Sequence, residues 1–174
     1  SQTVGMLSDF EAEIPEIKET FSEASDALGY DLWALAQSGP VEQLSLTEIT
    51  QPLMLTSGVA LYRAWSQADG QAASYMAGHS LGEYTALTAA GSLTLADAVR
   101  VVRARGRFMQ EAVPQGTGAM AAVIGLDDDK IEAVCAQVSN DSGLTIEAVN
   151  YNAPGQLVIA GHAEAIEVSL PMLK

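Results

Sequence analysis

The sequence is 174 residues long, about the length of one domain, and 48% of its residues are hydrophobic, which is enough for a buried core. Its formal net charge of -14 argues against general nucleic-acid binding, because phosphate contacts need clustered cations. No run of 18 apolar residues occurs, so no membrane span is predicted, and a single cysteine excludes an internal disulfide. We therefore expect a soluble, cytoplasmic protein.

The first 67 residues show helical periodicity. Apolar residues recur three or four apart over residues 8–28, where Pro15 is expected to divide the segment into two helices. A short helix is predicted over residues 31–37, and a longer, largely buried one over residues 47–67. Gln51, in the longer helix, is given no functional role.

A turn of the form Gly-x-Ser-x-Gly follows, at Gly78-His79-Ser80-Leu81-Gly82. An apolar run at residues 75–77 predicts a strand before it, and residues 84–90 predict a helix after it. Between strand and helix this pattern is the nucleophile elbow, which would make Ser80 a nucleophile. Gly78 and Gly82 are expected where a Cβ would clash, and the Leu81 N–H is a candidate oxyanion donor. The alternative is a turn that carries an ordinary surface serine.

The next predicted helix, residues 95–113, places Arg105 on its apolar stripe, with Arg100, Arg103 and Arg107 on the opposite face. A guanidinium facing a core needs an anionic partner. One interpretation is a bidentate clamp for a substrate carboxylate, and the other is a salt bridge to Glu83 or Glu111. The stripe comprises Ala98, Val101, Val102, Phe108 and Met109.

The composition changes after residue 115, and a β-α-β-β order is predicted, followed by the start of a helix at residues 163–167. The run Asp127-Asp128-Asp129 is interpreted as a helix N-terminus, with a metal site as a weaker alternative, and Cys135 as core. We expect three segments: a partial main body (1–115), a partial smaller subdomain (116–168) and an uncertain tail (169–174). The predicted elements are strand 119–126, helix 127–138 and strands 144–150 and 157–161, the last two joined by a hairpin turn at 152–155.

Gly-His-Ser-Leu-Gly-Glu-Tyr at residues 78–84 resembles the acyltransferase family that loads malonyl groups onto acyl carrier protein in bacterial fatty acid synthesis. The glutamate after the second glycine is typical of that family. The similarity extends from residues 1–6 through 108–114 to 152–162. The resemblance implies an α/β fold: an α/β-hydrolase-like main body into which a smaller ferredoxin-like α+β subdomain is inserted.

The resemblance also implies the roles of individual residues. Ser80 would carry the malonyl group as an ester, and the Leu81 N–H would hold the oxyanion. Arg105 would bind the free malonyl carboxylate. Independently of the resemblance, His79 is a poor base because neighbouring side chains at an elbow diverge, and we give it a pocket-lining or structural role. The implied substrates are malonyl-CoA and phosphopantetheinylated acyl carrier protein, with no cofactor, no metal, no membrane or nucleic-acid partner, and a monomeric enzyme.

The family's general base, a histidine, has no match here, where only His79 and His162 occur. The first strand and the second oxyanion amide of the family are also unmatched, and the pattern weakens after Glu167. We therefore expect an incomplete chain that is inactive alone. Two alternatives stay open: a serine esterase or thioesterase of the hydrolase fold, and a non-catalytic fragment that binds carrier protein.

Overall fold

The computed structural model describes residues 2–114 and 116–174. The chain divides into two units, Ser1–Glu111 and Ala112–Lys174, and each unit has an apolar core of its own. Ser1, where the family-like segment begins, and Gln115, the last residue of the predicted main body, lie outside the described residues. The placement of the domain boundaries and of the tail stays a prediction.

The described part of the first unit is helical. The division of residues 8–28 at Pro15 is confirmed, since one helix ends at Glu11 and the next begins at Pro15. The long helix has the predicted bounds, whereas the short helix α4 was not predicted. The helices are α1 Ser8–Glu11, α2 Pro15–Leu28, α3 Leu32–Ser38, α4 Val41–Leu44, α5 Thr47–Gln67, α6 Leu81–Ala89 and α7 Leu95–Glu111.

Helix α5 packs against α2 and α7, and together they form the core of this unit. Phe21, Leu53 and Val99 are fully buried there, and burial of each such side chain contributes about 1.5–3 kcal/mol. Gly106 lets α7 run close to the start of α5, because a Cβ at Gly106 would lie 2.7 Å from the Cα of Glu48. This close approach brings the neighbouring Arg105 within reach of α5.

The strand predicted at residues 75–77 is wrong. The segment before α6 is not part of any ladder among the described residues, and Tyr75 is 94% exposed. A strand forms only where a neighbouring strand satisfies its backbone groups. The three described strands all belong to the second unit, so nothing in the described part of the first unit pairs with this segment. The helix predicted after the turn is confirmed as α6.

The second unit is a three-stranded antiparallel sheet with two helices, and it confirms the β-α-β-β order. The strand order is β1-β3-β2, and Ile159 of β3 pairs with Ala121 on one side and Ala148 on the other. The hairpin between β2 and β3 turns at Gly155, whose φ of 72° favours glycine. The elements are β1 Gly118–Ile124, α8 Asp128–Ser142, β2 Ile146–Ala153, β3 Gln156–His162 and α9 Ala163–Ser169.

One side chain of α8 and one at its N-cap bear on the interpretations made for this unit. Cys135 is 4% exposed and belongs to the core beside Ile131, as predicted; burial, and to a lesser degree the nearby Glu132 and Glu147, raise the pKa of its thiol. Asp127 does occupy the N-cap, but its side chain makes no capping hydrogen bond and lies 3.7 Å from Lys130 Nζ instead. Near the end of the chain, Leu173 is also part of this core.

Within residues 2–114 and 116–174, no helix combines the length and the apolar character needed to cross a membrane. The same residues contain no group of three or more acidic, His or Cys side chains able to hold a metal ion.

Candidate active site

Ser80 sits at the N-cap of α6 in a strained backbone conformation. Its φ of 54° and ψ of -113° lie where side chains other than glycine are rarely found, at a cost of about 1–3 kcal/mol. Such strain at a serine before a helix is typical of a nucleophile elbow. Ser80 is exposed in this unit.

The two glycines that flank the turn differ in their surroundings. A Cβ on Gly78 would overlap the backbone of Gly82 and Glu83, so only glycine fits there. A Cβ on Gly82 would meet nothing within 4 Å. The predicted clash is therefore confirmed for Gly78 and wrong for Gly82. The Cβ position of Gly78 faces the start of α6, whereas that of Gly82 faces open space.

The first amides of α6 differ in their backbone partners. The Gly82 N–H donates to the His79 carbonyl at 2.9 Å, and the Glu83 N–H donates to the Ser80 carbonyl at 3.3 Å. The Leu81 N–H has no backbone acceptor in the part of the chain that the structure describes. A helix N-terminus carries partial positive charge, so an anion beside this amide would be stabilised.

Arg105 reaches Ser80 from α7. Its Nη2 donates to Ser80 Oγ at 2.9 Å, and its Nη1 donates to Gln51 Oε1 at 2.7 Å. The guanidinium carbon lies 5.8 Å from the centroid of the Tyr84 ring, a cation–π distance. One nitrogen of the guanidinium is thus held by protein, while the other points to the nucleophile candidate.

The alternative partners predicted for Arg105 are excluded. Glu111 lies 3.8 Å from Arg107 instead, and no carboxylate among residues 2–114 forms an ion pair with Arg105. The predicted stripe is only partly buried: Ala98 and Val102 are in the core, whereas Val101, Phe108 and Met109 are 45%, 60% and 51% exposed. Arg105 is accordingly half-buried.

The other arginines of α7 have local partners. Arg100 lies 3.6 Å from Asp97, while Arg103 donates to the Leu28 carbonyl and lies over the Tyr30 ring at 5.3 Å. Burial raises the pKa of the Tyr30 hydroxyl above its usual value, and the Arg103 charge partly offsets this.

Neither histidine is seen to act as a base for Ser80. His79 is exposed, and in the described part of the first unit no imidazole hydrogen-bonds Ser80 Oγ. His162 belongs to the second unit, where its Nδ1 accepts the Thr145 N–H at 3.0 Å. That bond leaves the proton of a neutral imidazole on Nε2.

Gln51 is the site residue that sequence reasoning missed. It is 5% exposed, and it contacts Arg105 from the helix across the core. The signal in the sequence was a polar side chain within an apolar helical run. The sequence does not show that this side chain contacts Arg105, which lies 54 positions later.

Comparison with known proteins identifies the family. The family model described as acyl transferase domain matches residues 4–170. The chain belongs to the acyl transferase domain family. The malonyl CoA-acyl carrier protein transacylase of Escherichia coli strain K12 is 61% identical over 167 residues, which are 96% of this chain and 53% of that protein. Its namesake from Haemophilus influenzae is 53% identical over 175 residues, which are 100% of this chain and 55% of that one.

Solved structures of other acyl transferases are similar in fold. The crystal structure of FabD from Acinetobacter baumannii matches with a TM-score of 0.94 at 53% identity, over 99% of this chain and 55% of that one. A structure of a type II PKS acyl-carrier protein in complex with its malonyl-transacylase matches with a TM-score of 0.92 at 52% identity, over 97% and 54%. This acyl transferase chain thus has an α/β fold and spans about half the length of the relatives it matches.

Proposed function

We propose that this chain carries the nucleophile and the carboxylate grip of an enzyme that transfers malonyl groups from CoA to the phosphopantetheine thiol of acyl carrier protein. The observation that carries the proposal is the 2.9 Å contact of Arg105 Nη2 with Ser80 Oγ. In a malonyl thioester one methylene separates the reacting carbonyl from the free carboxylate. A nucleophile and a cationic grip for that group must therefore be adjacent, as these two side chains are.

In the proposed reaction Ser80 Oγ attacks the thioester carbonyl and forms the ester bond. The C–S bond breaks, and CoA leaves as a thiol with the proton that the serine loses. The Leu81 N–H stabilises the oxyanion, and Arg105 binds the malonyl carboxylate through charge-assisted hydrogen bonds. In the second half, the carrier protein's thiol attacks the ester, and Ser80 recovers its proton. The proposal gives His79 a pocket-lining role and assigns the general base to no described residue.

The proposal also covers the finer features of the enzyme. The main body would be α/β-hydrolase-like, and the second unit would be a ferredoxin-like subdomain. The enzyme would act as a cytoplasmic monomer without a cofactor or metal, on malonyl-CoA and acyl carrier protein. The names of the relatives and the carrier-protein complex of a structural neighbour support the two substrates.

Intact-mass measurement of the acyl form of the complete enzyme tests the proposal. We expect malonyl-CoA to add the mass of one malonyl group to the protein, and holo acyl carrier protein to remove it. The Ser80→Ala variant should add nothing, because the ester oxygen is gone. A malonyl adduct that persists in Ser80→Ala would overturn the assignment of Ser80, and release of free malonate without carrier protein would indicate a hydrolase.

A further inference from the structure

Gln51 is a buried polar side chain that the proposed reaction does not use. It is 5% exposed on α5, and its amide oxygen accepts the Arg105 Nη1–H at 2.7 Å. Its Nε2 lies 3.3 Å from the sulfur of Met109, a weak acceptor. Burying an amide is costly unless its hydrogen bonds are made, so the contact with Arg105 is the one that keeps Gln51 in place.

The bond to Gln51 determines where the rest of the guanidinium points. A guanidinium is a rigid plane with fixed donor directions. With Nη1 held by Gln51 and the plane close to Tyr84, the remaining nitrogen Nη2 is directed at Ser80 Oγ. Gln51 therefore fixes in advance the edge of Arg105 that an acyl carboxylate beside Ser80 would meet, and such preorganisation lowers the cost of binding.

The chemistry of the partner matters as much as its position, because an amide is neutral. Arg63, on the same helix, lies 2.7 Å from the Glu23 carboxylate, which balances its charge. Arg105 has no such counterion among residues 2–114, where its acceptors are an amide oxygen and a hydroxyl. Gln51 thus holds the guanidinium and leaves its full positive charge available to a ligand.

We propose that Gln51 is a positioning residue that sets the selectivity of the site for acyl groups with a free carboxylate. It does so by orienting Arg105 without neutralising it. This inference rests on the proposed function, in which Arg105 binds the malonyl carboxylate and Ser80 forms the ester. Selectivity would then depend on a residue that touches neither the substrate nor the reacting atoms.

The test compares how malonyl-CoA and acetyl-CoA protect Ser80 against a fluorophosphonate probe in the purified complete enzyme. In Gln51→Glu the new carboxylate competes for Arg105. We expect the malonyl-CoA concentration for half-protection to rise at least about tenfold, since charge-assisted hydrogen bonds of this kind are lost. The acetyl-CoA value should move by less than about threefold, because acetyl has no carboxylate to lose a partner. A general structural defect would move both values together.

Gln67→Glu is the matched control. It makes the same substitution at the exposed end of the same helix, so both protection values should stay within about twofold of the wild type. Gln51→Leu is the second variant, because it keeps the guanidinium charge and removes only the tether. It should lower the preference for malonyl-CoA by about threefold or more. Thermal unfolding of each variant checks that it is folded. If Gln51→Glu does not fold, Gln51→Leu decides the test.

The outcomes separate the two proposals. A wild-type protein that shows no preference for malonyl-CoA, or no labelling of Ser80, contradicts the proposed function itself. A wild-type preference that persists unchanged in Gln51→Glu, or in Gln51→Leu where that variant decides, overturns the role of Gln51 and leaves the proposed function intact. Equal losses for both thioesters also overturn it.

Discussion

Arg105 donates a hydrogen bond to Ser80 Oγ, at 2.9 Å, from a helix that begins fifteen residues after the serine. The contact joins the N-terminus of α6 to the middle of α7, and it brings a fixed cation next to a strained hydroxyl. In the proposed reaction an incoming carboxylate takes over this donor. The proposed nucleophile and the proposed carboxylate-binding arginine are thus in contact before any substrate binds.

Replacing Arg105 with Ala should reduce malonyl transfer far more than acetyl transfer. Loss of the charge-assisted bonds to the carboxylate costs about 1.5–3 kcal/mol, which is about ten- to a hundredfold in kcat/KM for malonyl-CoA. Steady-state transfer from both thioesters to carrier protein measures the effect. The control is Arg107→Ala, an exposed arginine of the same helix, 3.8 Å from Glu111, which should leave both rates nearly unchanged. Equal losses for the two substrates in Arg105→Ala would contradict the carboxylate grip.

Gly78→Ala should be less stable to unfolding than Gly82→Ala. A Cβ on Gly78 would overlap the backbone of Gly82 and Glu83, and such overpacking costs about 1–3 kcal/mol. A Cβ on Gly82 meets open space in the first turn of α6, where alanine is favoured over glycine by up to about 1 kcal/mol. Denaturant unfolding of the two variants measures this difference. The closure of the elbow would have to be reconsidered if both variants were equally stable.

The hydroxyl of Tyr151 should ionise at an unusually high pH. Its hydroxyl donates to Glu132 across β2 and α8, and this bond, more than any other influence, raises the pKa of Tyr151 to about 12 from the usual 10. The folded state holds the proton more tightly than the unfolded state. The contribution to stability is therefore complete below pH 10 and is lost as the pH rises toward 12.

Absorbance titration of the phenolates checks this, with Tyr151→Phe to identify the step. In Glu132→Gln the Tyr151 step should move back toward pH 10, because the accepting carboxylate is gone. A step that stays near 12 in Glu132→Gln would show that Glu132 is not the cause.

Helices and the position of the elbow could be predicted from the sequence because both depend on residues close along the chain. The spacing of apolar residues gave the bounds of α5, and Pro15 marked the start of α2. What could not be predicted depended on distant residues. A strand at 75–77 needs partner strands, and Gln51 meets Arg105 across 54 positions.

The predicted apolar stripe of α7 is only partly buried, and the reason is instructive. Periodicity correctly placed Ala98 and Val102 on one face, but it does not say what covers each part of that face. Phe108 and Met109 are largely exposed within the unit, although the Met109 sulfur still touches Gln51 of α5. Arg105 stands at the edge of the covered part, where a side chain can be held by the core and still reach outward.

At residue 80 the backbone conformation and the proposed chemistry favour different side chains. Its φ of 54° would suit glycine, yet glycine has no side-chain nucleophile that could carry an acyl group. Selection for thermal stability alone would therefore favour glycine at this position. The resulting variants would be more stable but would lose the proposed acyl transfer. Engineering of this fold for robustness has to select for turnover at the same time.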